Sequence, residues 1–235
     1  MNARFRILAL LALILFPAVP VGAQPKAAPP TPQERAAALK ANLAMSQNIL
    51  HHYEWIETTV LNLKGEDKPA SQNRCYYGAD GVLQKVPVTT PPPPKKMRGL
   101  RGKIAKSKIA EMSDYMKRAV ALMKSYLPPD PGRIQAARAA GKISITPSPD
   151  KTVWLDFADF IKPGDKLSFD LDLASNTPRQ AKIASYLDSK DDAVSMYVTF
   201  GSFNNATYTA KTELNAPAKE VIITVTNSGY KKLAQ

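Results

Sequence analysis

Lys166-Leu167-Ser168-Phe169-Asp170-Leu171-Asp172-Leu173 is the stretch that decides the fold. Leu167, Phe169, Leu171 and Leu173 alternate with Ser168, Asp170 and Asp172. A strand sends successive side chains to opposite faces, so this period of two describes one apolar face and one polar face. Val194, Met196, Val198 and Phe200 repeat the pattern. Candidate strands cover 151–158, 166–173, 179–187, 193–200, 207–214 and 219–226. Lys162-Pro163-Gly164-Asp165, Asn176-Thr177-Pro178, Gly201 with Asn204-Asn205, and Ala216-Pro217 separate them with turn-forming residues. The pattern predicts an antiparallel meander, with its apolar face on a core and the face of Asp170 and Asp172 in water.

Upstream, Tyr53 to Lys64 is rich in aromatic and β-branched residues and reads as one long strand. Gly65-Glu66-Asp67-Lys68-Pro69 turns the chain, 72–78 returns as a second strand, and Ala79-Asp80-Gly81 leads into a third over 82–88. Before these strands, Thr31-Pro32-Gln33-Glu34 has the form of a helix start. Thr31 caps, Pro32 takes the first helical position, and Glu34 stands three residues after the cap. Ala37, Leu39, Leu43, Ile49 and Leu50 carry that helix to about Leu50.

Between the two groups of strands the composition breaks. Pro91-Pro92-Pro93-Pro94 suits an extended spacer. Seven cations follow: Lys95, Lys96, Arg98, Arg101, Lys103, Lys106 and Lys108, with no acidic residue between Asp80 and Glu111. From Leu100 the period is helical, with Ile109, Met112, Met116, Val120, Met123 and Leu127 as its apolar stripe. Pro128-Pro129-Asp130-Pro131 ends that helix, and a short second one over 131–140 stops at Gly141. The fold class is therefore α+β: an antiparallel sheet with an N-terminal helix and a basic helical insertion at about 95–140, in a single domain over 33–235.

The N-terminus has the form of an export signal. Arg4 and Arg6 precede an apolar run from Ile7 to Val19, and Val21-Gly22-Ala23 offers a small-x-small cleavage pattern after Ala23. A Pro- and Ala-rich leader over 24–32 follows. These features predict a periplasmic or secreted protein. The formal net charge is +12, and loss of Arg4 and Arg6 with the signal takes it to about +10. Such a charge favours anionic partners: lipid, lipoprotein or an envelope polymer, with peripheral membrane contact, and export argues against nucleic acid. Cys75 is the sole cysteine, so no internal disulfide forms and stability rests on a packed core.

The element order is an N-terminal helix, three strands, a helical insertion and a run of antiparallel strands. Together with Tyr76-Tyr77-Gly78-Ala79-Asp80-Gly81-Val82-Leu83 at an early hairpin, it resembles the LolA and LolB superfamily of periplasmic lipoprotein carriers. The resemblance implies an incompletely closed β-barrel under a helical lid, holding acyl chains without catalysing a reaction.

Catalytic groups are sparse. His51 and His52 are adjacent in the chain, and neighbouring side chains on a strand diverge, which predicts a structural or solvated role. Cys75 follows Arg74, which would lower a thiol pKa on approach, but the two side chains diverge and a small buried residue is the expectation. Asp170 and Asp172 stand about 7 Å apart by strand rise and read as a solvated face. Asp188, Asp191 and Asp192 read as turn residues. The sequence has no nucleophile elbow, phosphate loop or zinc spacing, so no cofactor and no enzyme activity are expected. The seven cations from Lys95 to Lys108 are the candidate contacts for an anionic head group or membrane. Two readings follow: a noncatalytic carrier of a lipid or other amphiphile, and an envelope-associated interaction module for an anionic cell-wall polymer or protein partner.

Overall fold

Thr31 and Glu34 cap each other. The Thr31 hydroxyl accepts from the Glu34 amide at 3.3 Å, and the Glu34 carboxylate accepts from the Thr31 amide at 2.6 Å. This reciprocal box satisfies two otherwise orphaned amides and opens α1 (Pro32–Leu50). The computed structural model describes residues 31–89, 99–148, 150, 152–175 and 177–233. The expected export signal over 1–23, the expected leader up to residue 30, the proline run over 91–94, and Lys95, Lys96 and Arg98 lie outside the described residues.

After α1 come β1 (Tyr53–Leu63), β2 (Glu66–Asp67), β3 (Ser71–Tyr77) and β4 (Leu83–Pro87). Two helices follow, α2 (Gly99–Lys124) and α3 (Pro131–Ala139). The remaining strands are β5 (Ile143–Pro147), β6 (Thr152–Ala158), β7 (Lys166–Asp172), β8 (Thr177–Tyr186), β9 (Ala193–Phe203), β10 (Ala206–Ala216) and β11 (Val221–Lys232). They form one eleven-stranded sheet in the order β4-β3-β1-β11-β10-β9-β8-β7-β6-β5, with β2 on β1. All the pairings are antiparallel. β4 and β5 end the path and do not pair with each other among the described residues, so the sheet is not closed: the architecture is an incompletely closed barrel with helices.

β1 joins the early strands to the late ones, because Thr58 pairs with Gln72 on one side and Thr226 on the other. β2 and β5 were not expected. β2 is two residues folded back on β1 within the turn. Ile143 and Ile145 do alternate, but five residues ending at a proline fall below what periodicity resolves. β11 also runs on to Lys232, past the expected end at 226, because its second half pairs with the start of β1.

The core lies on one face of the sheet. Val153, Leu155, Phe157, Leu167, Phe169, Leu171, Ala181, Ile183, Val194 and Val198 are all buried there. The helices cover them with Leu39, Tyr115, Ala119, Met123, Tyr126, Ile134 and Ala137. In α2 and the turn after it the buried residues are Tyr115, Ala119, Met123 and Tyr126, whereas the expected stripe shares only Met123 with them. Tyrosine and alanine carry the contact, which turns the buried face by about a fifth of a turn from the stripe marked by aliphatic residues.

One expectation is overturned. Ser168 and Asp170 are not on a wet face; they are 5% and 6% exposed. Their cross-strand neighbours roof them: Trp154 pairs with Asp170, and Lys182 pairs with Ser168. The Lys182 ammonium lies 4.2 Å from the centre of the Trp154 ring. Long amphipathic side chains thus cover the short polar ones, which alternation alone does not reveal. Asp172 is partly exposed and accepts the amides of Ala174 and Ser175, as a turn residue does.

A buried polar hub organises the loop between β6 and β7. The Asp165 carboxylate accepts the amides of Phe160, Ile161 and Lys162 at 2.5, 3.0 and 2.9 Å. It also accepts the Tyr126 hydroxyl, which lies 2.9 Å from Ser185 Oγ. Burial first, and Asp165 as acceptor second, push the Tyr126 hydroxyl above the ordinary tyrosine range. Replacing Tyr126 by Phe should cost about 1–3 kcal/mol in urea denaturation, because it removes one partner of a buried pair. Asp165→Ala should cost more, since several donors lose their acceptor together. A raised folded-state pKa adds stability that is complete below the unfolded tyrosine value of about 10 and lost as pH rises through the folded value. The alkaline unfolding limb of Tyr126→Phe should therefore be shallower than that of the parent protein.

Candidate functional site: an apolar groove between two pinned helices

Lys40, Leu43, Ala44 and Gln47 recur at helical spacing and so share one face of α1. That face borders a groove of about 520 Å³ over the core side of the sheet. Met123, Lys124, Leu127 and Pro128 form the opposite wall at the end of α2. The floor is Phe169, Met196, Val198, Phe200, Thr209 and Thr212. Such a volume falls within the range of about 300–1,000 Å³ of sites that hold a small organic ligand. Thr209 and Thr212 are three apart, which would put them on opposite faces of a regular strand. A register shift between Thr209 and Lys211 brings both to the groove.

Directional polar bonds hold the groove open. α1 is tied to β10: Ser46 Oγ accepts the Thr207 amide at 2.8 Å, and the Thr207 hydroxyl donates to Asn42 Oδ1 at 3.0 Å. Ser46 also donates to the Asn42 carbonyl at 2.7 Å, so the hydroxyl both donates and accepts. α2 is tied at two points. Besides the bond from Tyr126 to Asp165, Tyr115 donates to Asp192 at 2.8 Å, with the Arg118–Asp188 ion pair beside it. Asp188 and Asp192 therefore hold the helix as well as the turn. The two helices are fixed to separate parts of the sheet, α1 to β10 and α2 to the turn after β8.

The groove is chemically two-sided. Its walls are aliphatic and aromatic, while Lys40 and Lys124 are exposed at its margin and two threonine hydroxyls lie within it. It offers no nucleophile paired with a base. Among the described residues no group of three or more His, Cys, Asp or Glu side chains is placed to hold a metal. It accommodates an apolar chain and, at its margin, an anionic group.

The cations singled out in the sequence are elsewhere. Lys103, Lys106 and Lys108 are exposed on α2 and do not line the groove. Arg101 lies in α2, but its side chain, like Lys95, Lys96 and Arg98, is outside the described residues. His51 and His52 form no pair. The His51 ring packs 4.2 Å from that of Tyr77 with Nε2 buried and unpartnered, and the His52 carbonyl accepts the Leu233 amide.

Sequence reasoning missed the groove and also an aromatic cluster. Tyr53, Trp55, Tyr77, Phe203, Tyr208 and Tyr230 come together from five strands, with Trp55 and Tyr230 stacked at 5.5 Å. Trp55 is satisfied by a bond from its indole nitrogen to Asn227 at 3.1 Å. No local signal marks such a cluster, because each strand contributes only one or two rings.

No family model matches the chain, and no curated protein matches it in sequence. Among solved structures it is similar to a LolA superfamily protein from Nitrosomonas europaea, with a TM-score of 0.37 and 10% identity over 84% of this chain and 94% of that chain. It is also similar to a DUF1329 family protein from Desulfovibrio piger, with a TM-score of 0.35 and 7% identity over 83% of this chain and 93% of that one. Among the described residues no helix is long and apolar enough to cross a membrane.

Cys75, on β3 opposite Trp55, is fully buried. Burial, and then the charge of Glu57, raise its thiol pKa, so the thiolate fraction near neutral pH falls below that of a free cysteine. In a thiol-reagent assay at pH 8 the native protein should react at least about tenfold more slowly than the urea-unfolded chain.

Proposed function

We propose that this protein is a noncatalytic carrier of an amphiphile that works outside the cytoplasm, in keeping with its N-terminal export signal. The observation that carries this reading is the groove between α1 and the end of α2. Leu43, Leu127, Met196 and Phe200 are only partly buried there, although Met123, Phe169 and Val198 beside them are closely packed in the core. Open apolar surface costs about 25 cal/mol for each Å² left in water. A ligand's hydrocarbon chain recovers that cost, and Lys40 and Lys124 meet its anionic head. The site is built for binding, since the polar groups around it serve to hold the helices.

Filling the groove tests the reading. Ala44 is exposed on α1, so Ala44→Trp adds bulk to the groove without displacing a core residue. The purified parent protein should bind a fluorescent fatty acid saturably, and Ala44→Trp should weaken that binding by at least about tenfold while leaving the circular dichroism spectrum unchanged. Lys40→Glu with Lys124→Glu should weaken a fatty acid more than its methyl ester. Parent protein without saturable binding, or an Ala44→Trp variant that binds as well as the parent, would refute the carrier reading and favour the envelope interaction module.

A further inference from the structure

α2 is two different helices in one. From Tyr115 onward its inward face is buried and tied to the sheet. From Lys103 to Glu111 every described side chain is exposed. That exposed half is not uniformly polar: Ile104 is 53% and Ile109 is 69% exposed. Ile109 falls on the same ridge as Met116 and Val120, seven and eleven residues on. Met116, Val120 and Lys124 line a shallow trough of about 430 Å³ along the helix, and Lys124 also borders the groove. The ridge is thus an apolar track leading from the exposed half of α2 to the groove.

Charge says what covers this half. Lys103, Lys106 and Lys108 are exposed and in no ion pair among the described residues. Glu111, the first acid after Asp80, is already near Lys219 at 3.9 Å. Ile109 stands in water on the side of α2 that also carries the uncompensated Lys106, with Lys103 and Lys108 on its flanks, the pattern of a segment that lies in a bilayer interface, whereas Ile104 lies in line with Tyr115. A soluble polyanion would answer the lysines but not the isoleucine. An anionic bilayer answers both, since its head groups pair with the ammonium groups and its acyl boundary takes the apolar side chains.

We infer that the first half of α2 docks on an anionic membrane surface through Ile109 with Lys106 on the same side, Lys103 and Lys108 adding attraction from the flanks, and that the ridge of Ile109, Met116 and Val120 leads the apolar chain from bilayer to groove. The docking deepens the carrier reading, and its measurement does not depend on groove occupancy.

Sedimentation with sucrose-loaded vesicles provides the test. The parent protein should pellet with vesicles of equal parts phosphatidylcholine and phosphatidylglycerol, and much less with phosphatidylcholine alone. Lys103→Glu combined with Lys106→Glu and Lys108→Glu should lower anionic-vesicle binding by at least about tenfold. Ile109→Ser should lower it several-fold. None of these positions is in the core, so thermal unfolding should be unchanged and serves as the control for folding. Ala44→Trp should bind vesicles as the parent does, which separates failure of docking from failure of the groove. Equal binding to both vesicle types, or a triple variant that binds like the parent, would overturn the proposal. So would an Ile109→Ser variant with full vesicle binding, because a lysine face that works without the isoleucine is a simple polyanion surface.

Discussion

The bonds converging on Asp165 are the constraint on which the rest of the structure depends. One buried carboxylate gathers three successive backbone amides and the Tyr126 hydroxyl. The amides fix the loop between β6 and β7, and the hydroxyl fixes the end of α2 above the sheet. An apolar contact is non-directional and would let the helix slide toward α1 until the gap between them closed. A hydrogen bond is directional and expensive to leave unmade in a buried place. Polar ties are therefore what allow an apolar groove to persist. The same logic holds on the other wall, where Ser46 and Thr207 fix α1 to β10.

Much of the fold was legible because the information was local. The capping residues Thr31 and Glu34 marked the start of α1, and the alternation through Leu167, Phe169 and Leu171 marked β7 as half-apolar. What was not legible depends on partners distant in the chain. Nothing near Asp170 announces that Trp154 and Lys182 will cover it. Nothing near Tyr115 or Tyr126 announces that these tyrosines, rather than the neighbouring methionines, will face the sheet. Their hydroxyls have acceptors in Asp192 and Asp165, which lie many residues away. Asp165 itself looks like one more turn residue in Lys162-Pro163-Gly164-Asp165, and its role appears only when Tyr126 reaches it.

The candidate site was less legible than the fold for a related reason. A filled core and an open groove have the same sequence signature, since both require apolar side chains on one sheet face. Met196 and Phe200 lie on β9 on either side of the fully packed Val198, yet they are only partly buried and line the groove. The difference is made by where the helices stop, and that is set by ties outside the groove. The register shift at Ala210 adds to the problem, because it places Thr209 and Thr212 together against the expected alternation. The basic run stood out in composition, yet the cations at the groove margin are Lys40 and Lys124, each unremarkable in its own segment.

The spacing of the α2 ties has a mechanical consequence. Tyr115 leaves α2 on its sheet-facing side with Ala119 and Met123, whereas Tyr126 lies two residues beyond the helix end and makes its tie from the turn that follows. Continuing that side toward the N-terminus brings Lys108 and Ile104 into line, which are exposed and have no counterpart on the sheet. Packing therefore ends at Tyr115 although the helix does not. Because α2 is unbroken from Gly99 to Lys124, a load on its exposed half reaches the groove wall at Met123 and Lys124 through the helix backbone. The tie at Asp192 is partly exposed, whereas the one at Asp165 is buried. A strain along α2 meets the weaker, wetter tie first, and Tyr126 remains as the pivot. The groove wall is thus held most firmly at its inner end and most loosely toward the basic half of the helix, a gradient set by where water reaches the two tyrosines.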